Sequence, residues 1–250
     1  MSTDPTAALF NQLRADGSVL GVFLSGSRGK AFHTDASDYD VCIVVTDEGL
    51  KGAEHRYPFR YGPNIDCIVT SLSSFRARAE PSSPDAWDRY SFAHVEVLFG
   101  RAAEEVQELV NRKGQLSAEG RTQTLRDSLD AYLNAIYRTF KCLRKGNRLG
   151  AKLEAAQSIP PLLSFLFGLE GRHAPFAGYL ERERITYPLH ILPLPVTKFL
   201  AGLEGTLQAD IVAIKLLLDQ VDGLGHAEGL GDVFAAWDEA YPWMLRFGLE

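Results

Sequence analysis

Apolar and polar positions alternate in two different rhythms along this chain. In the first half, short apolar runs are separated by turn-forming residues: Val19-Leu20-Gly21-Val22-Phe23-Leu24, Val41-Cys42-Ile43-Val44-Val45 and Ile65-Asp66-Cys67-Ile68-Val69. These predict strands near residues 19–25, 39–46 and 64–70, and His94 to Gly100 predicts another. Short helices are expected at 5–15, with Leu9, Phe10 and Leu13 on the apolar side, and at 102–112. Residues 47–63, with three glycines and two prolines, predict a connection with room for short strand content, and residues 80–88 a loop or a capped helix start.

From about residue 118 the rhythm lengthens to nearly four. Leu125, Leu129, Leu133, Ile136, Phe140 and Leu143 form one helical stripe, which Gly146 and Gly150 are expected to end. Helix is expected again at 151–158, with Pro160-Pro161 interrupting or restarting it, and Leu162–Leu169 is apolar enough to be buried on all sides. Residues 171–195 read as irregular at both ends, and one long amphipathic helix is expected over 196–222. Trp237, Tyr241 and Trp243 in the tail read as core of a helical domain rather than an acceptor pocket. The fold class this predicts is α+β: a small mixed sheet with flanking helices over residues 1–115, then a helical bundle over 116–250.

Composition narrows the classes. At 250 residues and 46% hydrophobic, with no apolar run long enough to span a bilayer, the chain reads as a globular protein without a membrane partner. Residues 1–5 lack the basic and apolar regions of a signal peptide, so a cytoplasmic location is expected. A net charge of −6 argues against broad nonspecific nucleic-acid binding, while leaving a tRNA partner open. Cys42, Cys67 and Cys142 lack pairing motifs and read as small hydrophobes in a reducing compartment; the six histidines show no zinc-ligand spacing.

The chemistry lies between the first two strands. Gly26-Ser27-Arg28-Gly29 forms a small turn whose backbone can approach a ligand and whose amides and Ser27 hydroxyl can donate to phosphate. Asp38 and Asp40, two apart, point to one face of an extended chain. Paired carboxylates suit Mg²⁺, which takes oxygen ligands and shares them with substrate phosphates. Asp66 is an acid embedded in an apolar strand, costly unless it is paired or binds a metal. If its strand lies beside that of Asp40, it completes a three-carboxylate cage. Other phosphate and nucleophile motifs fail on spacing: Gly29-Lys30 is followed by Ala31 and preceded by Leu24 where a Walker loop needs glycine, and Ser25 replaces the first glycine of a nucleophile elbow.

In that order, Gly26-Ser27, Asp38-Tyr39-Asp40 and Asp66 resemble the signature of the DNA polymerase β-like nucleotidyltransferase superfamily, and in style its aminoglycoside nucleotidyltransferase-type members. The motif covers roughly residues 19–70. The resemblance implies a nucleotidyltransferase that moves a nucleoside monophosphate, from ATP or another nucleoside triphosphate, to a hydroxyl of a small acceptor such as an antibiotic. It implies two Mg²⁺ ions held by Asp38, Asp40 and Asp66, and Gly26, Ser27 and Arg28 at the nucleotide, with the active site expected in the cleft between the two domains. It further implies basic residues from the helical domain at the triphosphate, for which Arg138 and Lys141, on a stripe opposite the apolar one, are the candidates; Lys30 is a further loop candidate. A carboxylate near the acceptor hydroxyl is expected as general base, and Glu96 is the candidate, with His33 and His94 behind it. The alternatives are nucleotidylation of a protein or tRNA, as in toxin-like members, and a nucleotide-binding regulator without turnover.

Overall fold

The computed structural model describes residues 6–81 and 83–248; the leader reading at residues 1–5, the first residue of the 5–15 helix, Ser82 in the 80–88 loop and the last two residues lie outside them. The chain divides into two compact units, one up to Gln115 and one from Leu116 onward. The architecture is α+β, a five-stranded mixed sheet followed by helices.

In the first unit the strands are β1 (Val19–Leu24), β2 (Tyr39–Val45), β3 (Arg60–Gly62), β4 (Ile65–Ser71) and β5 (Val97–Phe99), in the order β3-β4-β2-β1-β5. Among the described strands only β2 and β4 run parallel. A parallel pair needs a crossover. It is made by a helix, α3 (Leu50–Arg56), within the stretch expected to be a connection, and β3 then pairs back onto β4. Glycines mask α3 in the sequence, but Ala53 and Tyr57 are buried against the sheet, and that burial holds the turn of helix in place.

Alternation along the strands fills two cores. One face carries Val22, Val41, Ile43 and Cys67 and is covered by α3 and by α1 (Ala7–Ala15) through Leu9 and Leu13. The other carries Phe23, Cys42 and Val44. It is covered by α4 (Leu72–Ala77), by a 3₁₀ segment at Ala86–Phe92 and by α5 (Ala103–Gly114). Gly21 allows α5 to close on β1, since a Cβ there would lie 2.8 Å from Val106. Two buried lysines tie down this second layer. Lys30 donates to the Ser91 and Ala93 carbonyls (3.0 and 2.8 Å), and Lys113 to the Arg76 carbonyl (3.1 Å) and that of Arg78.

The strand expected at 94–100 is shorter. His94 sits at φ 62°, and Gln107 of α5 accepts from the Val97 amide (2.7 Å) and donates to the Val95 carbonyl (3.2 Å). A side chain has replaced the ladder there, so pairing begins only at Val97.

The second unit is helical: α6 (Ala118–Arg144), α7 (Arg148–Gly168), α8 (Leu180–Thr186), α9 (Val196–Leu207), α10 (Ile211–Ala227), α11 (Gly231–Ala235) and α12 (Ala240–Arg246). The α6 stripe from Leu125 to Phe140 is buried in one core with α7, α9, α10 and the tail. Two expectations are corrected. The Pro160-Pro161 pair does not interrupt α7, because residues on both sides of it, Ala155 and Ser158 before and Leu162, Leu163, Phe165, Leu166 and Phe167 after, are buried and outweigh the lost backbone bonds. The helix expected over 196–222 is two helices. Ala209 at φ 58° ends the first, and Asp210 caps the second by accepting from the Ala213 amide (3.0 Å). Among the described residues no helix is long and apolar enough to cross a membrane.

Asp16 closes the turn between α1 and β1. Burial pushes its carboxyl up, but hydrogen bonds from Ser18, Arg56 and Tyr57 outweigh this and bring it down to about 2, from 3.8. A folded-state value below the unfolded one stabilises the fold above about pH 4, and the contribution fades as pH falls toward 2. Asp16→Asn is expected to cost about 1–2 kcal/mol at pH 7, discounted for solvent at the Arg56 pair. Urea melts at pH 7 and pH 3 check this: the gap between wild type and variant should narrow at the lower pH.

Candidate active site in the first unit

Three chain segments meet at one end of the sheet. There β1 finishes, and β2 and β4 begin side by side with Asp40 directly opposite Asp66 in the parallel register. Alternation puts both acids on the sheet face that also carries Cys42, Val44 and Ile68. Asp38, one residue before β2, joins them. Carboxylate oxygens of Asp38, Asp40 and Asp66 all lie within 4.8 Å of one another, with Asp38 exposed and the other two half-buried. None of the three makes an ion pair among the described residues. Burial, then the charges of Asp38 and Asp66, raise the Asp40 carboxyl above its ordinary value.

The turn beside them is built against Asp40. The Ser25 amide donates to the Asp40 carbonyl (2.9 Å), and the chain then enters a single helical turn, α2 (Gly26–Gly29). Gly26 adopts φ 58°, and a Cβ there would overlap Asp40 Oδ2. Only glycine meets both conditions. The first amides of such a turn have no partner within it. The Ser27 hydroxyl makes no hydrogen bond among the described residues.

Arg28 does something the spacing did not reveal. Its Nε and Nη2 donate to the Ser37 carbonyl (3.2 and 2.7 Å), and Nε also to the Asp38 carbonyl (2.9 Å). The guanidinium lies 3.7 Å from the centre of the Tyr39 ring. Arg28 therefore clamps the backbone that presents Asp38, with Tyr39 as its platform. The same side chain borders a cavity of about 450 Å³ with His33, Asp35 and Asn64. Lys30 is buried and engaged with backbone carbonyls, so it belongs to the core and not to a phosphate contact.

Glu96 is exposed and stands just before β5 rather than within it. Val97 pairs with Phe23, so Glu96 lies toward the same end of the sheet as the acids, with β1 intervening between β5 and β2. Arg138 and Lys141 belong to the second unit. There Arg138 pairs with Glu154 (2.6 Å), and the Lys141 ammonium lies 5.0 Å from the Tyr137 ring centre. Cys42 and Cys67 are buried thiols, pushed by burial up to about 11 and about 12. They are inert packing groups, as expected of them.

No protein-family model matches the chain, and no curated protein matches it by sequence. Among solved structures it is similar to a nucleotidyltransferase-like protein from Exiguobacterium sibiricum 255-15, with a TM-score of 0.39, 15% identity, and coverage of 85% of this chain and 77% of that one. At that distance the likeness does not bear on the chemistry of the site.

Two outcomes follow from this geometry. The folded state holds the Asp40 proton to higher pH than the unfolded chain does, so that contribution to stability is present in acid and is lost as pH rises through the folded value. Asp40→Asn should accordingly raise the melting temperature at pH 7 in chelator by about 1–3 °C, as read by calorimetry. Arg28→Ala should free the segment 34–38, speeding its amide hydrogen exchange while the β2 and β4 amides keep their protection.

Proposed function

We propose that this protein is a metal-dependent nucleotidyltransferase that transfers a nucleoside monophosphate, from ATP or another nucleoside triphosphate, to a hydroxyl of a small acceptor. The observation that carries the reading is the convergence of three carboxylates, without cationic partners among the described residues, beside a turn that only glycine can make. An all-oxygen donor set of three negative charges fits Mg²⁺, and Asp38, Asp40 and Asp66 would hold it. Burial, with the charges of Asp38 and Asp66 behind it, disfavours the Asp40 carboxylate, and the fit is supported because a divalent cation beside the three oxygens would offset that cost. When bound, Mg²⁺ supplies charge neutralisation at the triphosphate and acidifies the attacking hydroxyl.

The remaining roles fall to this chain's own groups. The α2 amides and the Ser27 hydroxyl donate to phosphate oxygens, and Gly26 keeps the backbone close enough for them to do so. Arg28 holds Asp38 in place through the Ser37 and Asp38 carbonyls with Nε and Nη2, and its Nη1 is the donor left to reach a nucleotide. Glu96 is the candidate to accept the proton from the acceptor hydroxyl, an assignment supported by its position at the same end of the sheet. Positioning and charge neutralisation account for catalysis of this kind.

The test is purified protein with Mg²⁺ and labelled nucleotides, offered an aminoglycoside panel beside total tRNA and lysate protein. Label moving to a small acceptor, with pyrophosphate released, is expected; label on protein or tRNA would replace the acceptor class. Asp38→Asn, Asp40→Asn and Asp66→Asn should each slow transfer by about a hundredfold or more while the far-UV circular dichroism stays unchanged. Full activity in Asp40→Asn would overturn the reading. Glu96→Gln should lower kcat with nucleotide affinity kept; an increase confined to the acceptor KM would make Glu96 a binding group.

A further inference from the structure

The second unit holds a concentration of chemistry that the reading above leaves unused. Along α6, Tyr137, Lys141 and Arg144 recur at intervals of four and three and share one face. At the start and along α12, Glu239, Trp243 and Arg246 recur in the same way. The two stripes border a cavity of about 600 Å³ lined by Tyr137, Arg144, Glu239, Trp243 and Arg246 among others.

Its walls are aromatic and its rim is cationic. Tyr137 and Trp243 meet edge to face, with ring centres 5.5 Å apart, and Trp243 is braced from behind by Phe247 at 5.3 Å. The Arg144 guanidinium lies 5.1 Å from the Trp243 ring centre, and the Lys141 ammonium 5.0 Å from that of Tyr137. Lys141, Arg144 and Arg246 form no ion pair or hydrogen bond among the described residues, although Arg126 and Arg138 on the same α6 are paired with Asp232 and Glu154. Of these, Arg144 and Arg246 line the cavity, and among the described residues Glu239 is the one carboxylate lining it with them. Two lining cations against one acid, with Lys141 beside them on the Tyr137 ring, disfavour a polycationic ligand and suit a flat anion.

We propose that this cavity binds a small planar aromatic anion, its ring against Tyr137 and Trp243 and its carboxylate or phosphate on Arg144 and Arg246. The lining belongs to the second unit, shares no residue with the three carboxylates and needs no metal. Free aromatic carboxylates and nucleoside monophosphates share this chemistry, and the probes distinguish them.

The full chain in EDTA would be titrated with 2-naphthoate and with AMP by calorimetry, with neutral 2-naphthamide as the control. Binding of at least one anion is expected, with the amide weaker. AMP alone would identify a nucleotide source, naphthoate alone an aromatic carboxylate; either supports the site. The Arg144→Gln/Arg246→Gln double variant should weaken the anion by about tenfold or more. Its melting temperature should fall by no more than about 3 °C, because both guanidinia are exposed and form no ion pair among the described residues, leaving only the Arg144 contact with the Trp243 ring to lose. Trp243→Leu should weaken both anion and amide. The proposal is overturned if neither anion binds below about 1 mM, if the amide binds as well as naphthoate, or if the double variant binds like wild type. Asp40→Asn should bind the probe as wild type does. Loss of binding there would move the ligand to the carboxylate site and end the proposal, whereas failure of Asp40→Asn to affect transfer would end only the reading of the first unit.

Discussion

The pairing of Asp40 with Asp66 across two parallel strands is the constraint around which the first unit is arranged. Two carboxylates in register, with Asp38 added, repel by between about 1 and 4 kcal/mol per pair depending on solvent access. The fold accepts this through geometry. Parallel β2 and β4 start at one edge, so their first residues cannot part without breaking the ladder. Gly26 brings the turn against Asp40, and Arg28 holds the Asp38 segment by its carbonyls. Arg28 leaves the carboxylates unpaired, so their charge stays available to a cation.

The sheet face that bears these acids is covered by the least regular part of the unit, a short helix, a 3₁₀ segment and α5. Irregular backbone leaves carbonyls without ladder partners. Lys30 and Lys113 satisfy four of them from inside the core. Burial lowers the Lys113 ammonium below its ordinary value, with the Glu80 carboxylate opposing that shift. Charged side chains thus serve as fixed struts in the layer on the acid-bearing face of the sheet. Lys30, which directly follows the α2 turn, illustrates how a basic residue beside a ligand loop can be wholly structural.

The helical unit reaches stability differently. Its core is one continuous cluster of leucines and aromatics from α6, α7, α9, α10 and the tail. That cluster carries α7 through two prolines and leaves α6 an outer stripe of cations. The tail aromatics divide their work: Tyr241 is buried and donates to Asp222, Trp237 donates to Asp130 (2.9 Å), and Trp243 turns a ring toward the cavity.

Local pattern by itself determined a great deal. Apolar runs rich in valine and isoleucine gave β1, β2 and β4 nearly to the residue, and period-four leucines gave α6, because both signals arise from one-sided burial that recurs along the chain. The acids and the glycine turn were legible too, since Gly26-Ser27 and Asp38-Tyr39-Asp40 lie in adjacent segments. What the tertiary structure decided rests on contacts distant in sequence. The register that sets Asp66 opposite Asp40 is a property of two strands, not of either one. The start of β5 depends on Gln107 capturing Val95 and Val97. The continuity of α7 depends on burial overriding proline, and the break at Ala209 on a left-handed residue that no local pattern announced. Arg28 and Lys30 show the division most plainly. Both are basic residues on one short turn, but one clamps an exposed acidic loop and the other is sunk in the core. Only the partners brought to them by the fold, Ser37 and Asp38 for the first and Ser91 and Ala93 for the second, separate the two.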